Sequence, residues 1–221
     1  SRSARGSSTI TPTTMRRVLV TGGNGQLGEA IFRAAEGIAH RYIFATIDEL
    51  DICNSVDTER YIVENKIDTI INCAAYTDVE GAEDNINMAY AINSTAVASL
   101  AEVCKRLNVR LIHISTDYVF DGQGEKPWKP DCKDYAPLNV YGQTKLEGEL
   151  AVSQTLEKFF IVRIAWVFGL NGKNFIKTML TIGKKFDTLR VVNDQIGTPT
   201  YTYDLSRLLV DMVETEKYGY Y

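Results

Sequence analysis

Arg17-Val18-Leu19-Val20-Thr21-Gly22-Gly23-Asn24-Gly25-Gln26-Leu27-Gly28 decides how this chain is read: a short apolar run, then a glycine-rich turn. The run has the composition of a buried strand, and residues 29–36 continue with helix-forming composition. Strand, glycine turn and helix in that order are the context a dinucleotide-binding turn requires. Gly22, Gly25 and Gly28 take side chains away where a backbone must approach a pyrophosphate. Free amides at the helix start then offer the pyrophosphate donors and a favourable dipole. Gly22, Asn24, Gly25, Gln26, Leu27 and Gly28 are therefore expected to face a cofactor.

Outward from the turn the alternation repeats. Residues 42–46 read as a strand, 55–65 as a helix, 69–73 as a strand and 88–107 as a long helix. Strands at 110–115 and 159–164 then flank a helix at 140–156. Such βαβ alternation builds a parallel sheet with helices on both faces, so the expected class is α/β, a doubly wound parallel sheet of Rossmann type. Past Val167-Phe168-Gly169 the regularity weakens. A helix at 174–183, a short strand at 189–192, the turn Asn193-Asp194-Gln195-Ile196-Gly197-Thr198-Pro199 and a last helix from Thr202 to about residue 214 remain. The expected organisation is a leader over 1–14, a dinucleotide-binding domain over 15–168 and a small partial substrate-binding lobe over 169–221. Lys217-Tyr218-Gly219-Tyr220-Tyr221 reads as the start of an unfinished strand, so that lobe reads as incomplete.

The 221 residues, 45% hydrophobic and 24% charged, suffice for one sizeable core. A net charge of -4 and no dense run of Lys and Arg argue against nucleic acid as a partner. No apolar stretch reaches membrane-spanning length, and residues 1–14 lack the apolar middle of a secretory signal. Cys53, Cys73, Cys104 and Cys132 form no Cys-x-x-Cys pair, which fits a reducing cytoplasm better than a disulfide scaffold. His40 and His113 are the only histidines, too few for most histidine-based metal sites, and no metal is expected. Ser115 and Asp117 near His113 lack the geometry of a hydrolytic triad, because alternate residues of one strand stand side by side.

Other residues suit a bound dinucleotide. Asp48 lies about 20 residues past Gly28, where an acidic side chain receives the adenosine ribose and disfavours a ribose phosphate. Asp51-Ile52 offers a polar and an apolar contact to an adenine. Asn72-Cys73-Ala74-Ala75 ends a strand with small residues that leave room for a ribose or nicotinamide. Asn93 is unfavourable inside a long helix unless its side chain is used. Ile114-Ser115-Thr116-Asp117-Tyr118 places hydroxyls at the carboxyl end of a strand, where sheets of this kind bind ligands. Tyr141 and Lys145 are four apart and share a helix face. Lowering a phenol from about 10 to about 7 takes roughly 4 kcal/mol. An ammonium about 4 Å away supplies that order at an effective dielectric of about 20. The expectation is a tyrosine that exchanges protons near neutral pH, with Lys145 as the cause.

Together these residues resemble the extended short-chain dehydrogenase/reductases, whose working set of Asn, Ser or Thr, Tyr and Lys falls on Asn93, Thr116, Tyr141 and Lys145. Asn72-Cys73-Ala74-Ala75-Tyr76-Thr77-Asp78-Val79-Glu80, Ser115 to Gly122, Arg163 to Gly169 and Asn193 to Pro199 are similar to segments of the branch that acts on dTDP-4-dehydrorhamnose. The resemblance implies NADH or NADPH as cofactor and reduction of the 4-keto group of a dTDP-linked 4-keto-6-deoxysugar. It adds Cys73, Ala74, Ala75, Tyr76, Ser115, Tyr141 and Lys145 to the expected cofactor contacts. It places Val79, Thr116, Asp117, Tyr118, Tyr141 and Trp166 at the sugar or nucleotide. Related epimerases and dehydratases, and the non-catalytic subunit of methionine adenosyltransferase, share the fold and stand as alternatives. A homodimer is compatible with the resemblance; the carboxylates of the family's metal-linked dimers are not identifiable here.

Overall fold

The computed structural model describes residues 14–120, 132–164 and 198–221. Six parallel strands, β1 (Arg17–Thr21), β2 (Arg41–Ala45), β3 (Thr69–Asn72), β4 (Arg110–Thr116), β5 (Phe159–Ile164) and β6 (Gly219–Tyr220), form one sheet in the order β2-β1-β3-β4-β5-β6. The chain leaves β1 to one side for β2 and returns to the other side for β3. That reversal opens a crevice at the carboxyl ends of β1 and β3, the place where open α/β sheets take ligands.

Helices cover both faces, which is why the central strands run almost continuously apolar. Successive side chains of a strand point to opposite faces. Val18, Val20, Ile71, Ile112, Ile114, Val162 and Ile164 pack on one face, beneath α1 (Gln26–Ala34) and α7 (Thr198–Val213). Leu19, Ile70, Leu111 and Ile161 pack on the other, beneath α2 (Ser55–Glu64), α5 (Ala96–Leu107) and α6 (Val140–Thr155). Asn54 caps α2, its side chain accepting from the Asp57 amide, and Asn108 closes α5 in the left-handed conformation at φ 53.

The expected long helix is present from Ile86 to Leu107, but it is not uniform. It runs as α4 (Ile86–Tyr90), a π turn (Ala91–Thr95) and α5. A π turn adds a residue to one helical turn and often marks a functional position. Asn93 lies inside it. The short helix α3 (Val79–Asp84) precedes, capped by Asp78.

From Thr198 on, the described chain packs into the sheet's own core. Leu205, Leu208, Leu209, Val210, Met212 and Val213 of α7 join the cluster under α1. The end of α7 is held by Arg110, whose guanidinium donates to the Val213 carbonyl at 2.6 Å and the Thr215 carbonyl at 2.8 Å. Residues 219–220 pair with β5 as a short parallel strand, with Phe160 opposite Gly219 and Ile161 opposite Tyr220. The leader over 1–13 and the expected elements at 174–183, 189–192 and 193–197 lie outside the described residues. Among the described residues, no helix is long and apolar enough to cross a membrane.

Candidate active site

Gly22, at φ 62, turns the chain away from β1. A Cβ there would stand 3.0 Å from the backbone of Cys73 and Ala74. Gly25 is the N-cap of α1 and makes no side-chain cap hydrogen bond, so the helix start is left to other acceptors. Gly28, inside the first turn of α1, lies against Gly22 and Gly23, where a Cβ would meet the Gly22 carbonyl oxygen at 2.6 Å. These contacts form a cradle free of side chains over the crevice, as a pyrophosphate requires. The Leu27 side chain belongs to the core, which leaves only its backbone for the expected cofactor contact.

β2 ends at Ala45, one residue before the expected end, and Asp48 sits exposed in the following turn. The residue leaving the strand is Thr46. Its amide and hydroxyl both donate to the Glu49 carboxylate, at 3.2 and 3.1 Å. Glu49 therefore brings an acidic group back to the strand end, the position that sequence distance assigned to Asp48. Of the expected adenine pair, Asp51 is exposed and accepts from the Cys53 amide, whereas Ile52 is buried.

A buried polar row crosses three adjacent strands, from Thr21 at the end of β1 through Asn72 at the end of β3 to His113 within β4. The Thr21 hydroxyl donates to Asn72 Oδ1 at 2.6 Å and accepts from the amides of Cys73 and Ala74. The Asn72 side-chain amide nitrogen donates to His113 Nδ1 at 3.2 Å. His113 is therefore an acceptor at Nδ1, and burial keeps its imidazole neutral by pushing its pKa well below the usual value. This row fixes the path of Cys73-Ala74-Ala75 along the crevice floor. Its members escaped the sequence reading because a Thr, an Asn and a His on separate strands are neighbours only once the register is known.

The phenol of Tyr141 is buried, 3% exposed, in a pocket with Val79, Ala82, Ala89 and Tyr118. The Tyr118 ring meets it edge-on at 5.6 Å. Thr116, at the carboxyl end of β4, places its hydroxyl near the phenol and accepts from the Tyr118 amide at 3.2 Å. Burial pushes the Tyr141 pKa up to about 12, and the Thr116 hydroxyl only partly opposes this. The expected lowering by Lys145 is thus reversed: Lys145 points into the sheet and donates to the Ile114 carbonyl at 2.7 Å. Burial brings the Lys145 ammonium down to about 8, against the pull of the Glu149 carboxylate and of Cys73. Asp117, beside Thr116, is raised by burial to about 6.

Asn93 reaches none of these groups directly. Its side chain clamps the backbone of Tyr76, accepting from the amide at 2.9 Å and donating to the carbonyl at 3.1 Å, and it donates to Thr144 at 3.2 Å. The π turn thereby ties the crevice floor to α6. The fit is close, since a Cβ on Gly148 would stand 2.2 Å from the Asn93 carbonyl oxygen.

The structure brings together the glycine turn, residues 73–76, Thr116, Tyr118, Val79, Tyr141 and Lys145 on one edge of the sheet. Ser115 does not join them: its hydroxyl donates to Glu149 at 2.5 Å beneath α6. Trp166 lies outside the described residues. Sequence reading also missed Glu149 and Arg163. The signals were a carboxylate one turn after Lys145 and a charged residue inside an apolar strand.

The family described as the RmlD substrate binding domain matches residues 15–221. A curated dTDP-4-dehydrorhamnose reductase of Aggregatibacter actinomycetemcomitans is 41% identical over 214 residues, spanning 94% of this chain and 72% of that protein. A dTDP-4-keto-6-deoxy-D-glucose reductase of Streptomyces niveus is 38% identical over 198 residues, 89% of this chain and 68% of its own length. Among solved structures, the dTDP-4-dehydrorhamnose reductase of Bacillus anthracis in complex with NADP superposes with a TM-score of 0.75 at 37% identity. That superposition covers 93% of this chain and 73% of the other.

Proposed function

This chain belongs to the RmlD substrate-binding-domain family, and from that premise we propose that it is an NAD(P)H-dependent reductase of the 4-keto group of a dTDP-linked 4-keto-6-deoxysugar. The observation that carries the reading is one shared edge: Thr116, the last residue of β4, and the buried Tyr141 stand at the carboxyl end of the same sheet that carries the side-chain-free turn at Gly22 and Gly28. Similarity to reductases of dTDP-4-dehydrorhamnose and dTDP-4-keto-6-deoxy-D-glucose supports the sugar class. The four free thiols fit a reducing, cytoplasmic setting.

The residues fit a dinucleotide because Gly22 and Gly28 let the turn pack on the backbone of residues 73–74 and on itself with no side chain in the way, and no side chain caps the start of α1. The amides at the start of α1 would hold its pyrophosphate, and residues 73–76 would lie along its nicotinamide half. When bound, the nicotinamide supplies the hydride. Everything else falls to the chain's own groups. Thr116 and Tyr141 orient the ketone by hydrogen bonds to its oxygen, and Tyr141 gives that oxygen a proton as negative charge develops. Lys145, buried and donating to the Ile114 carbonyl, would supply a positive charge towards the ribose of a bound cofactor. Asn93 holds the crevice floor through Tyr76, as a positioning residue.

The direct test is oxidation of NADH and NADPH with a dTDP-4-keto-6-deoxysugar, the product identified as the 4-hydroxy sugar. No turnover with any dTDP-4-keto sugar, despite measurable NAD(P)H binding, overturns the substrate assignment. In the same assay Glu49→Gln is expected to move the NADPH-to-NADH affinity ratio towards NADPH by about three- to tenfold. One exposed carboxylate near a ribose phosphate has about that effect after screening. Asp48→Ala, exposed beyond the strand end, is expected to change the ratio less. If Asp48 carries the larger effect, the acidic contact has been assigned to the wrong side chain.

A further inference from the structure

Resting on the reading of Tyr141 and Lys145 as the working pair, we infer that Glu149 is a positioning residue: buried one helical turn below Lys145 and clamped by Ser115 and Arg163, its carboxylate holds Lys145 in the charged form and fixes this face of α6 to the sheet.

Glu149 is fully buried, 0% exposed. A carboxylate in such a place is stable only when its oxygens are matched. One oxygen accepts from Arg163 Nη2 at 2.8 Å and Nε at 3.2 Å. The other accepts from Arg163 Nε at 3.1 Å and the Ser115 hydroxyl at 2.5 Å. Arg163 is held in turn by the Cys132 carbonyl and the Tyr135 hydroxyl, both at 3.1 Å, and its guanidinium lies over the rings of Phe120 and Tyr220. The network therefore runs from α6 through β4 and β5 to residues 132–135. A purely structural ion pair would need nothing more.

What marks Glu149 as more is its neighbour. Residues i and i+4 share a helix face, and both side chains reach adjacent residues of β4: Lys145 donates to the Ile114 carbonyl and Glu149 accepts from the Ser115 hydroxyl. The titratable groups that act on Lys145 or feel its charge are Glu149 on α6, Cys73 after β3 and His113 on β4. Burial holds the Cys73 thiol and the His113 ring in their neutral forms. Glu149 is then the anion that opposes the loss of the ammonium proton, which burial alone brings towards neutrality. Without that carboxylate, Lys145 would release its proton at a lower pH. Its charge would then be lost within the neutral range where a ribose and a developing oxyanion need it.

The experiment titrates Lys145 directly, by NMR of the chain labelled with 13C-lysine, with the Lys145 signal assigned through Lys145→Met. The wild-type midpoint is expected near 8. In Glu149→Gln it is expected to fall by about one unit or more, the scale of one neighbouring charge. Glu149→Gln leaves Arg163 with a neutral partner and risks unfolding. The double variant Glu149→Gln/Arg163→Met removes both buried charges, keeps the fold on the same reasoning, and is expected to show a smaller fall in the same direction. The alkaline limit of NAD(P)H binding should follow the NMR midpoint in each folded variant. A Lys145 midpoint unchanged from wild type in either folded variant overturns the inference. Because the titration needs neither substrate nor turnover, that result is distinct from failure of the reductase reading, which would show as absent ketosugar reduction by the wild type.

Discussion

Tyr141→Phe is expected to lower kcat by about 100-fold or more, the scale of losing a positioned acid, while NAD(P)H affinity stays within about twofold. The ring is what packs: it sits among Val79, Ala82 and Ala89, with Tyr118 edge-on at 5.6 Å, and phenylalanine keeps all of that. Only the oxygen is lost. Even a lost hydrogen-bond partner is worth only about 1 kcal/mol of stability. The loss of rate therefore cannot be assigned to unfolding if Tm shifts by only a few degrees. The direction of the pKa matters to the profile. A group raised to about 12 by burial holds its proton throughout the neutral range, so the donor is loaded at every pH from about 5 to 9. No loss of the phenol's proton should therefore appear in that window for the cofactor-free chain. A kcat equal to wild type in Tyr141→Phe removes this residue from proton delivery and leaves Thr116 or Asp117 to be tested next.

The fold was legible because the strands are short apolar runs and the glycine turn punctuates the first of them. β5 begins and ends where its pattern of Phe159-Phe160-Ile161-Val162-Arg163-Ile164 says it should. What periodicity could not carry was register. Thr21, Asn72 and His113 come into one row only because β1, β3 and β4 pair with Thr21 opposite Asn72 and Asn72 opposite His113. The same holds for Ser115. Its neighbour Thr116 turns to the cleft, so alternation sends Ser115 to the other face, where Glu149 meets it. The tyrosine argument failed for a related reason. Spacing on a helix places Lys145 near Tyr141, but it does not say which carbonyl the ammonium will choose. Ile114 accepts it, and desolvation then governs the phenol. The π turn was foreshadowed by Asn93, a poor helix former whose side chain turned out to be fully engaged.

Gly28→Ala is expected to weaken NADH and NADPH binding by about tenfold or more and to lower Tm, although alanine is the better helix former. Within α1 the exchange should gain roughly 0.5–1 kcal/mol of helix propensity. Against it stands a Cβ at 2.6 Å from the Gly22 carbonyl oxygen and 2.8 Å from two backbone atoms of Gly23. Backbone atoms cannot rotate aside. Overpacking of this kind costs about 1–3 kcal/mol, so the clash outweighs the propensity. The turn has nowhere to retreat: Gly22 already touches the backbone of Cys73 and Ala74, and the Gly23 amide donates to the Ala45 carbonyl at 2.9 Å. α1 must recede instead, and its first amides move away from the place where a pyrophosphate would sit. Calorimetric titration with each cofactor measures the affinity, and a thermal melt measures the fold. Gly37→Ala is the control, since nothing lies within 4 Å of the Gly37 Cβ position, although Gly37, unlike Gly28, has positive φ, at 75°. It should cost about 1–2 kcal/mol of stability for the left-handed backbone and leave cofactor affinity untouched. Wild-type affinity in Gly28→Ala would mean that the start of α1 does not hold the pyrophosphate, and the cofactor cleft would have to be sought elsewhere along the sheet.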